Sequence, residues 1–150
     1  MAHSHTNLIY HIIFGTKRRT PWIATELRAG LYAKLGGIIR DKGGIPLRIN
    51  GVADHVHILA KFRPDICVAD VIRDLKSRSS GWVHRRRPDL DVFAWQTGYG
   101  AFTVGFSQIE QVTVYIDGQE EHHAREPFDM EVRSMLRQAG IEILEESFWE

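Results

Sequence analysis

The pattern of apolar and polar residues predicts four strands. Residues 8–14 are apolar, β-branched and aromatic and end at Gly15, which is typical of a buried strand. Residues 45–52 alternate apolar and polar positions, and residues 55–62 follow after a short turn, so these two segments are predicted to form a β-hairpin. A fourth strand is expected at about residues 101–104, after a segment rich in glycine and aromatic residues.

Apolar residues recur at helical spacing between and after these strands. Thr25 is the predicted N-cap of a first helix, which continues until Gly43. A second helix starts at Val68 and runs to a basic end before Pro88. Two more helices are predicted at residues 108–124 and 129–138, and Gly140 closes the last one.

The predicted order is β-α-β-β-α-β with two helices appended, which is the ferredoxin-like, split βαβ arrangement. The sequence therefore predicts an α+β fold with an antiparallel sheet, helices on one face and an appended C-terminal helix that carries Tyr115. Neither a repeat nor a linker interrupts the 150 residues, so we expect one domain spanning residues 1–150.

The charge of the chain is balanced in sum and unbalanced along its length. Residues 1–90 carry 16 basic and 7 acidic side chains, or +9, whereas residues 91–150 carry 3 basic and 12 acidic ones, or −9. This asymmetry indicates either a basic face that binds a partner or two parts that neutralise each other in the fold.

The rest of the composition limits the classes of protein to which the chain can belong. A 43% hydrophobic content is typical of a globular chain, and the single cysteine, Cys67, excludes an intramolecular disulfide framework. No apolar run approaches the roughly 20 residues that span a membrane, and the first residues lack the pattern of a secretory signal. We therefore expect a soluble, cytoplasmic protein without a membrane partner.

Two histidines form the first candidate site. His55 and His57 lie two residues apart on a predicted strand, so both imidazoles project from one face while Val56 and Ile58 face the core. Two neutral imidazoles at this separation can chelate one divalent ion, although such pairs also occur as ordinary surface or core histidines. Asp54 is expected to point to the other face, with at most a supporting role.

The predicted helix at residues 108–124 carries the second candidate site. Tyr115 and Gln119 are four residues apart and so share a helical face. The amide oxygen of Gln119 could complete a metal site begun by two histidines, and the Tyr115 hydroxyl becomes a nucleophile once a cation or a base assists its ionisation. Tyrosine at this spacing is also common in cores. His122 and His123 are interpreted as solvated side chains near a helix end.

Taken together, these residues resemble the single-tyrosine HUH transposases, the small transposases of the shortest bacterial insertion sequences. The matching segments follow the same order through about residues 5 to 140 and are most similar to REP-associated tyrosine transposases. They read YHIIFGTKRRTPWI at 10–23, GVADHVHIL at 51–59, KSRSSGWVH at 76–84, WQTGYGAFTV at 95–104 and YIDGQEEHH at 115–123. The chain departs from the subgroup at Gly15 and Gly105, where serine is expected, and Gly118 is unfavourable inside the predicted tyrosine helix.

The resemblance implies a metal-dependent transposase that acts on single-stranded DNA with hairpin structure. His55, His57 and Gln119 would hold one Mg²⁺ or Mn²⁺ over the scissile phosphate. Tyr115 would attack the phosphorus, release a 3′-hydroxyl and form a 5′-phosphotyrosine, from which a strand can be resealed without ATP. The resemblance also implies a homodimer, and it leaves open whether the tyrosine helix completes the histidine pair of its own subunit or of the partner.

The basic part of the chain supplies the expected DNA contacts. They lie in the loop after the first strand and on the second helix, and they are Lys17, Arg18, Arg19, Lys76, Arg78 and Ser79. Neutralisation of phosphates by such groups makes affinity sensitive to salt. Trp95 and Tyr99 could stack on unpaired bases, with core packing as the alternative for Trp95. The acidic residues 142–150 would repel phosphate and are expected to lie away from DNA or against a basic patch.

Two other functions compete with the transposase. A domesticated protein would bind hairpin DNA or RNA without cleaving it, and a metal-dependent phosphodiesterase would hydrolyse small substrates. The complete set of two histidines, a tyrosine and a glutamine favours the transposase, because a pure binding protein has no need of it.

Overall fold

The computed structural model describes residues 3–141, Phe148 and Glu150, so almost all of the acidic segment at 142–150 lies outside the described residues. Four strands form one antiparallel sheet in the order β2-β3-β1-β4. Their bounds are β1 Leu8–Gly15, β2 Ile45–Val52, β3 His55–Phe62 and β4 Gly100–Val104. This order, alternating with helices along the chain, confirms the predicted ferredoxin-like α+β fold.

Strand β1 lies in the centre of the sheet, and this position accounts for its apolar sequence. It pairs with β3 on one side and β4 on the other, and helices pack on both faces of the sheet, so its side chains are buried on both faces and form an almost continuous apolar run. Ile13 lies opposite His57, and Gly15 lies opposite His55. The end of β1 therefore lies beside the two histidines of β3.

Helices α1 Thr25–Asp41 and α2 Val68–Arg86 cover one face of the sheet. Val56 and Ile58 project from β3 into the core that these helices close. Thr25 is the first residue of α1 and Ala24 occupies its N-cap, so the predicted cap was wrong by one residue. After α1 the chain passes through Gly43 at a φ of +85°, a left-handed conformation that glycine adopts without strain.

The opposite face is covered by α3 Ile109–Asp117, α4 Gln119–His123 and α5 Phe128–Gln138. Ile116 packs there against β1 and β3, and Phe128 packs against Ile13. The prediction of one helix over residues 108–124 was wrong, because α3 ends at Asp117 and α4 begins after Gly118. Glycine weakens a helix interior through its conformational freedom, so the break falls there.

Within the described part of the chain, no helix combines the length and the apolarity that a membrane crossing requires.

Candidate active site

The histidine pair of β3 is fully buried beneath the second helical layer. His55 and His57 share one face of the strand, as their spacing predicts. Nε2 of His55 lies 3.2 Å from Oε1 of Gln119, and Nε2 of His57 lies 3.0 Å from Oε1 of Glu131. Two of the three predicted metal-binding residues, His55 and Gln119, are thus in direct contact. The third, His57, contacts the carboxylate of Glu131 instead.

Tyr115 meets the same site from the last turn of α3. Its hydroxyl donates a hydrogen bond to Oε2 of Glu131. The centre of its ring lies 5.7 Å from that of His57. Tyr115, His55, His57 and Gln119 therefore come together within a single chain.

Glu131 is the residue of this site that the sequence analysis missed. It is 1% exposed, and its Oε1 lies 3.5 Å from Nε2 of His55 as well as 3.0 Å from that of His57. A signal for it exists in the sequence, because Phe128, Glu131 and Val132 occupy one helical face at spacings of three and four. An acidic residue inside an otherwise apolar stripe indicates a buried carboxylate with partners.

The interpretation of His122 and His123 as solvated was wrong. The side chain of His123 is 10% exposed, and its Nε2 lies 3.1 Å from Oε2 of Glu131. Nε2 of His122 lies 3.1 Å from the same oxygen and 3.0 Å from Oε2 of Glu126. The ring of His123 packs 4.3 Å from that of His55, centre to centre, so α4 holds these histidines within the site.

Each histidine of the pair also has a partner at Nδ1. Oδ1 of Asp54 lies 2.7 Å from Nδ1 of His55, so the expectation that Asp54 points to the other face was wrong. Asp54 belongs to the turn before β3, where the alternation of a strand does not apply. Nε2 of His11 lies 2.8 Å from Nδ1 of His57. Both Nε2 atoms are thereby directed toward Gln119 and Glu131.

Burial and hydrogen bonding shift the pKa values of the acid and the phenol in this site. Burial by itself raises the pKa of Glu131, but hydrogen bonds from His123, His55 and His57 outweigh it and hold the pKa well below its usual range. Burial, together with the hydrogen bond to Glu131, raises the pKa of Tyr115 well above its ordinary value. The resting site therefore contains an anionic carboxylate and a neutral phenol.

The pKa values of His55 and His57 shift in opposite directions. Burial lowers the pKa of His57 to about 4 and outweighs its hydrogen bond to Glu131. Burial also lowers the pKa of His55, but the hydrogen bonds and charges of Asp54 and Glu131 outweigh burial and raise it. The pKa values of the two imidazoles thus shift in opposite directions because only His55 has a carboxylate at each nitrogen.

The donor atoms fit a divalent cation. One ligand atom from each of His55, His57, His123 and Glu131 lies within 4.8 Å of the others, and Gln119 adds an amide oxygen 3.2 Å from His55. Adjacent ligands around an octahedral ion with bonds of about 2.1 Å are about 3 Å apart. The contacts of His55 with Gln119 at 3.2 Å, of His57 with Glu131 at 3.0 Å and of His55 with Glu131 at 3.5 Å are close to this separation. Imidazole nitrogens with amide and carboxylate oxygens suit Mg²⁺ or Mn²⁺.

A cavity of about 530 Å³ opens beside Tyr115. It lies between β4, α3 and α5, and its lining includes His11, Phe102, Gln111, Tyr115, Glu131 and Met135. The nucleophile candidate and the buried carboxylate therefore face a space large enough for a small part of a substrate.

The basic loop of Lys17, Arg18 and Arg19 borders this site. It follows β1, whose last residue lies opposite His55, and all three side chains are exposed. A guanidinium nitrogen of Arg19 lies 3.5 Å from Oδ1 of Asp129 at the start of α5. The loop thus lies at the end of the sheet where the histidine pair begins.

The predicted DNA-contact residues on α2 lie away from the histidine pair. Nζ of Lys76 donates hydrogen bonds to the backbone carbonyls of Gln96 and Gly98, both at 2.7 Å, and of Thr97 at 3.1 Å. Arg78 pairs with Asp41 at 2.9 Å on the helical layer opposite the histidines. The structure therefore does not bring Lys76 or Arg78 to the histidine pair.

Ser79 and Trp95 are internal. Ser79 is fully buried, and its Oγ accepts a hydrogen bond of 2.9 Å from Nε1 of Trp95. Trp95 is 7% exposed and packs edge-on against Phe14, which favours core packing over stacking on bases. Tyr99 remains 38% exposed.

Comparisons with known proteins agree with this arrangement. A family described as "Transposase IS200 like" matches residues 4–119. The chain is 29% identical over 126 residues to the transposase for insertion sequence element IS200 of Salmonella typhimurium, which covers 81% of this chain and 82% of that relative. It is also similar to a solved structure from Deinococcus radiodurans described as a transposase, with a TM-score of 0.65, 26% identity and coverage of 79% and 98%. A REP-associated tyrosine transposase bound to a REP hairpin shares the fold, with a TM-score of 0.59, 14% identity and coverage of 82% and 74%.

Proposed function

The chain belongs to the IS200-like transposase family, and from that premise we propose that it cleaves and rejoins single-stranded DNA through a 5′-phosphotyrosine at Tyr115, with a divalent metal. Membership of a transposase family confirms the resemblance seen in the sequence and makes DNA the substrate class. The observation that carries the finer proposal is the convergence of a tyrosine hydroxyl, two imidazoles and an amide around one buried carboxylate.

His55, His57 and Gln119 would hold the metal through their Nε2 atoms and the amide oxygen, with Glu131 on the same side. A bound Mg²⁺ or Mn²⁺ supplies Lewis-acid stabilisation of the charge that develops on the phosphate oxygens. Asp54 orients His55 through Nδ1, which leaves Nε2 directed into the site.

Tyr115 performs the covalent step in this proposal. Its oxygen attacks phosphorus, and its proton passes by way of Oε2 of Glu131, which already accepts the hydroxyl's hydrogen bond, to solvent in the adjoining cavity. The bond from phosphorus to the 3′-oxygen breaks, and that oxygen takes a proton from solvent and leaves as a 3′-hydroxyl. The tyrosine retains the 5′-phosphate as a diester, so another 3′-hydroxyl can attack it and reseal a strand.

We propose hairpin-bearing single-stranded DNA as the substrate. Lys17, Arg18 and Arg19 are exposed at the histidine end of the sheet, where they can neutralise phosphates. The cavity beside Tyr115 has room for an unpaired nucleotide. A protein of the same fold has been solved bound to a REP hairpin, which supports this choice.

We further propose that the protein is a cytoplasmic homodimer, as the resemblance implies, in which each active site is built from one chain. The contact of Tyr115 with Glu131, and of Glu131 with His57, supports assembly of the site without a partner's helix.

Covalent trapping tests the proposal. Wild-type protein incubated with hairpin-bearing single-stranded DNA and Mn²⁺ should form a protein–DNA adduct on a denaturing gel, and Tyr115→Phe should form none while still binding the DNA. Tyr99→Phe is the matched control, because Tyr99 is more exposed than Tyr115 and lies outside the site. An adduct that survives Tyr115→Phe would overturn the assignment, and hairpin binding without an adduct under any metal would instead indicate a binding protein.

A further inference from the structure

We propose that His11 is a positioning residue that serves His57 as either hydrogen-bond donor or acceptor, and so allows His57 to change tautomer when its Nε2 takes a metal. The inference rests on the proposed function, because it takes His57 to be a metal ligand.

The fold holds His11 against His57. Because Ile13 of β1 lies opposite His57 of β3, His11, two residues earlier, projects from the same face of the sheet. His11 is 6% exposed, and its Nε2 lies 2.8 Å from Nδ1 of His57. This contact is a hydrogen bond between two ring nitrogens, so one hydrogen must lie between them.

The surroundings of His57 determine where that hydrogen is placed. Without a metal, Nε2 of His57 lies 3.0 Å from the carboxylate of Glu131 and so carries a hydrogen to donate. Nδ1 of His57 is then an acceptor, and His11 must donate from Nε2. His11 is buried against a second imidazole, so it is a neutral ring with one hydrogen to place.

With a metal held at Nε2, His57 would exchange these roles with His11. A ligating Nε2 must be free of hydrogen, so His57 would carry its hydrogen on Nδ1 and Nε2 of His11 would become the acceptor. His11 then carries its hydrogen on Nδ1, and its ring lines the cavity beside Tyr115, where solvent can exchange it. Each ring keeps one hydrogen, so the net charge of the pair is unchanged.

A carboxylate could not replace His11 in this role. Asp54 serves His55 as an acceptor only, whereas His57 already faces the Glu131 carboxylate at 3.0 Å. A second buried carboxylate against His57 would add like-charge repulsion and would accept in one state only. An imidazole is neutral and can present either a hydrogen or a lone pair, which both states require.

Tautomer spectroscopy and metal binding together test the inference. Imidazole ¹⁵N–¹H correlation spectra of wild type should show a hydrogen on Nε2 of His57 without metal and on Nδ1 with saturating Mg²⁺. His11→Phe should bind Mn²⁺ about 10–100-fold more weakly by calorimetry, the usual cost of losing a partner of a ligating histidine. His11→Gln, whose amide can donate or accept, should restore most of that affinity.

His84→Phe is the matched control, because His84 is also hydrogen-bonded through Nε2, to the carbonyl of Phe93 at 2.8 Å, but on the other face of the sheet. It should bind Mn²⁺ as wild type does. A single His57 tautomer with and without Mg²⁺ would overturn the inference, as would wild-type Mn²⁺ affinity in His11→Phe or no Mn²⁺ binding by wild type. Normal His11-dependent Mn²⁺ binding without any Tyr115 adduct would count against the proposed function alone.

Discussion

Tyr115 on α3 donates its hydroxyl hydrogen to Glu131 on α5, and the other oxygen of that carboxylate lies 3.0 Å from Nε2 of His57. One buried side chain therefore connects the nucleophile candidate with the histidine pair. The same hydrogen bond keeps the phenol neutral, because the pKa of Tyr115 is raised by burial and by Glu131. The carboxylate that restrains Tyr115 at rest is also placed to take its proton.

The first prediction concerns this carboxylate. Glu131→Gln keeps the shape of the side chain but cannot accept the phenol proton, so the single-turnover rate of adduct formation should fall about 10²-fold or more. Glu126→Gln is the matched control, since Glu126 lies 3.0 Å from His122 but does not contact the Tyr115 hydroxyl among the described contacts. Equal rates for Glu131→Gln and wild type would remove Glu131 from the chemical step.

The fold was predictable because its strands are rich in β-branched and apolar residues and are bounded by short turns. The bounds expected for the hairpin, 45–52 and 55–62, are those observed, although β2 is mostly exposed or half-buried and β3 is buried on both faces. The helical break at Gly118 was not predicted, because residues that favour a helix follow it and a single glycine weakens a helix without necessarily ending it.

The candidate site was predicted only in part. His55, His57, Tyr115 and Gln119 stand in short motifs, whereas Glu131 lies twelve residues beyond Gln119 and is brought in by packing of α5. Acidic residues are usually exposed, so a buried carboxylate needs the three-dimensional structure to reveal its partners. His11 is concealed for the opposite reason, because it lies inside an apolar strand that reads as core.

The second prediction concerns assembly in cis. A mixture of His57→Ala and Tyr115→Phe should form no adduct, because neither chain contains both the tyrosine and the histidine pair. Wild type diluted with Tyr115→Phe should lose adduct only in proportion to its dilution, which controls for subunit exchange. Restored adduct in the mixture, measured on a denaturing gel, would mean that the tyrosine helix serves a partner subunit.

The third prediction concerns pH and Lys76. Burial lowers the pKa of Lys76 from 10.5 to about 8 in the folded protein, so between these values the unfolded chain binds more protons. The free energy of unfolding of wild type should therefore rise with pH across this window, relative to that of Lys76→Met. Below about pH 8 the contribution of Lys76 to the free energy of unfolding should not change with pH.

Urea denaturation of both proteins at pH 7 and pH 10 measures this difference. Lys34→Met on α1 is the control for loss of a lysine. A wild-type advantage over Lys76→Met that shrinks as the pH rises would contradict the prediction.

The fourth prediction concerns the backbone of the basic loop. Arg18 has a φ of +56°, and the left-handed region costs a residue with a Cβ about 1–2 kcal/mol. Arg18→Gly should therefore raise the free energy of unfolding by about 0.5–1 kcal/mol, after the extra conformational freedom of glycine is subtracted. Lys17→Gly is the matched control, because Lys17 is not among the residues with positive φ, and it should be destabilised by about 0.5–1 kcal/mol.

The same two variants separate strain from DNA binding. If Lys17 and Arg18 each neutralise a phosphate, both variants should bind single-stranded DNA more weakly, and the slope of log affinity against log salt should shrink by about 0.7 in each. Stability and affinity would then change in opposite directions for Arg18→Gly and in the same direction for Lys17→Gly. If Arg18→Gly is destabilised as much as Lys17→Gly, the backbone of Arg18 is not strained. If the slope of log affinity against log salt is unchanged in a variant, the residue replaced in it does not contact a phosphate.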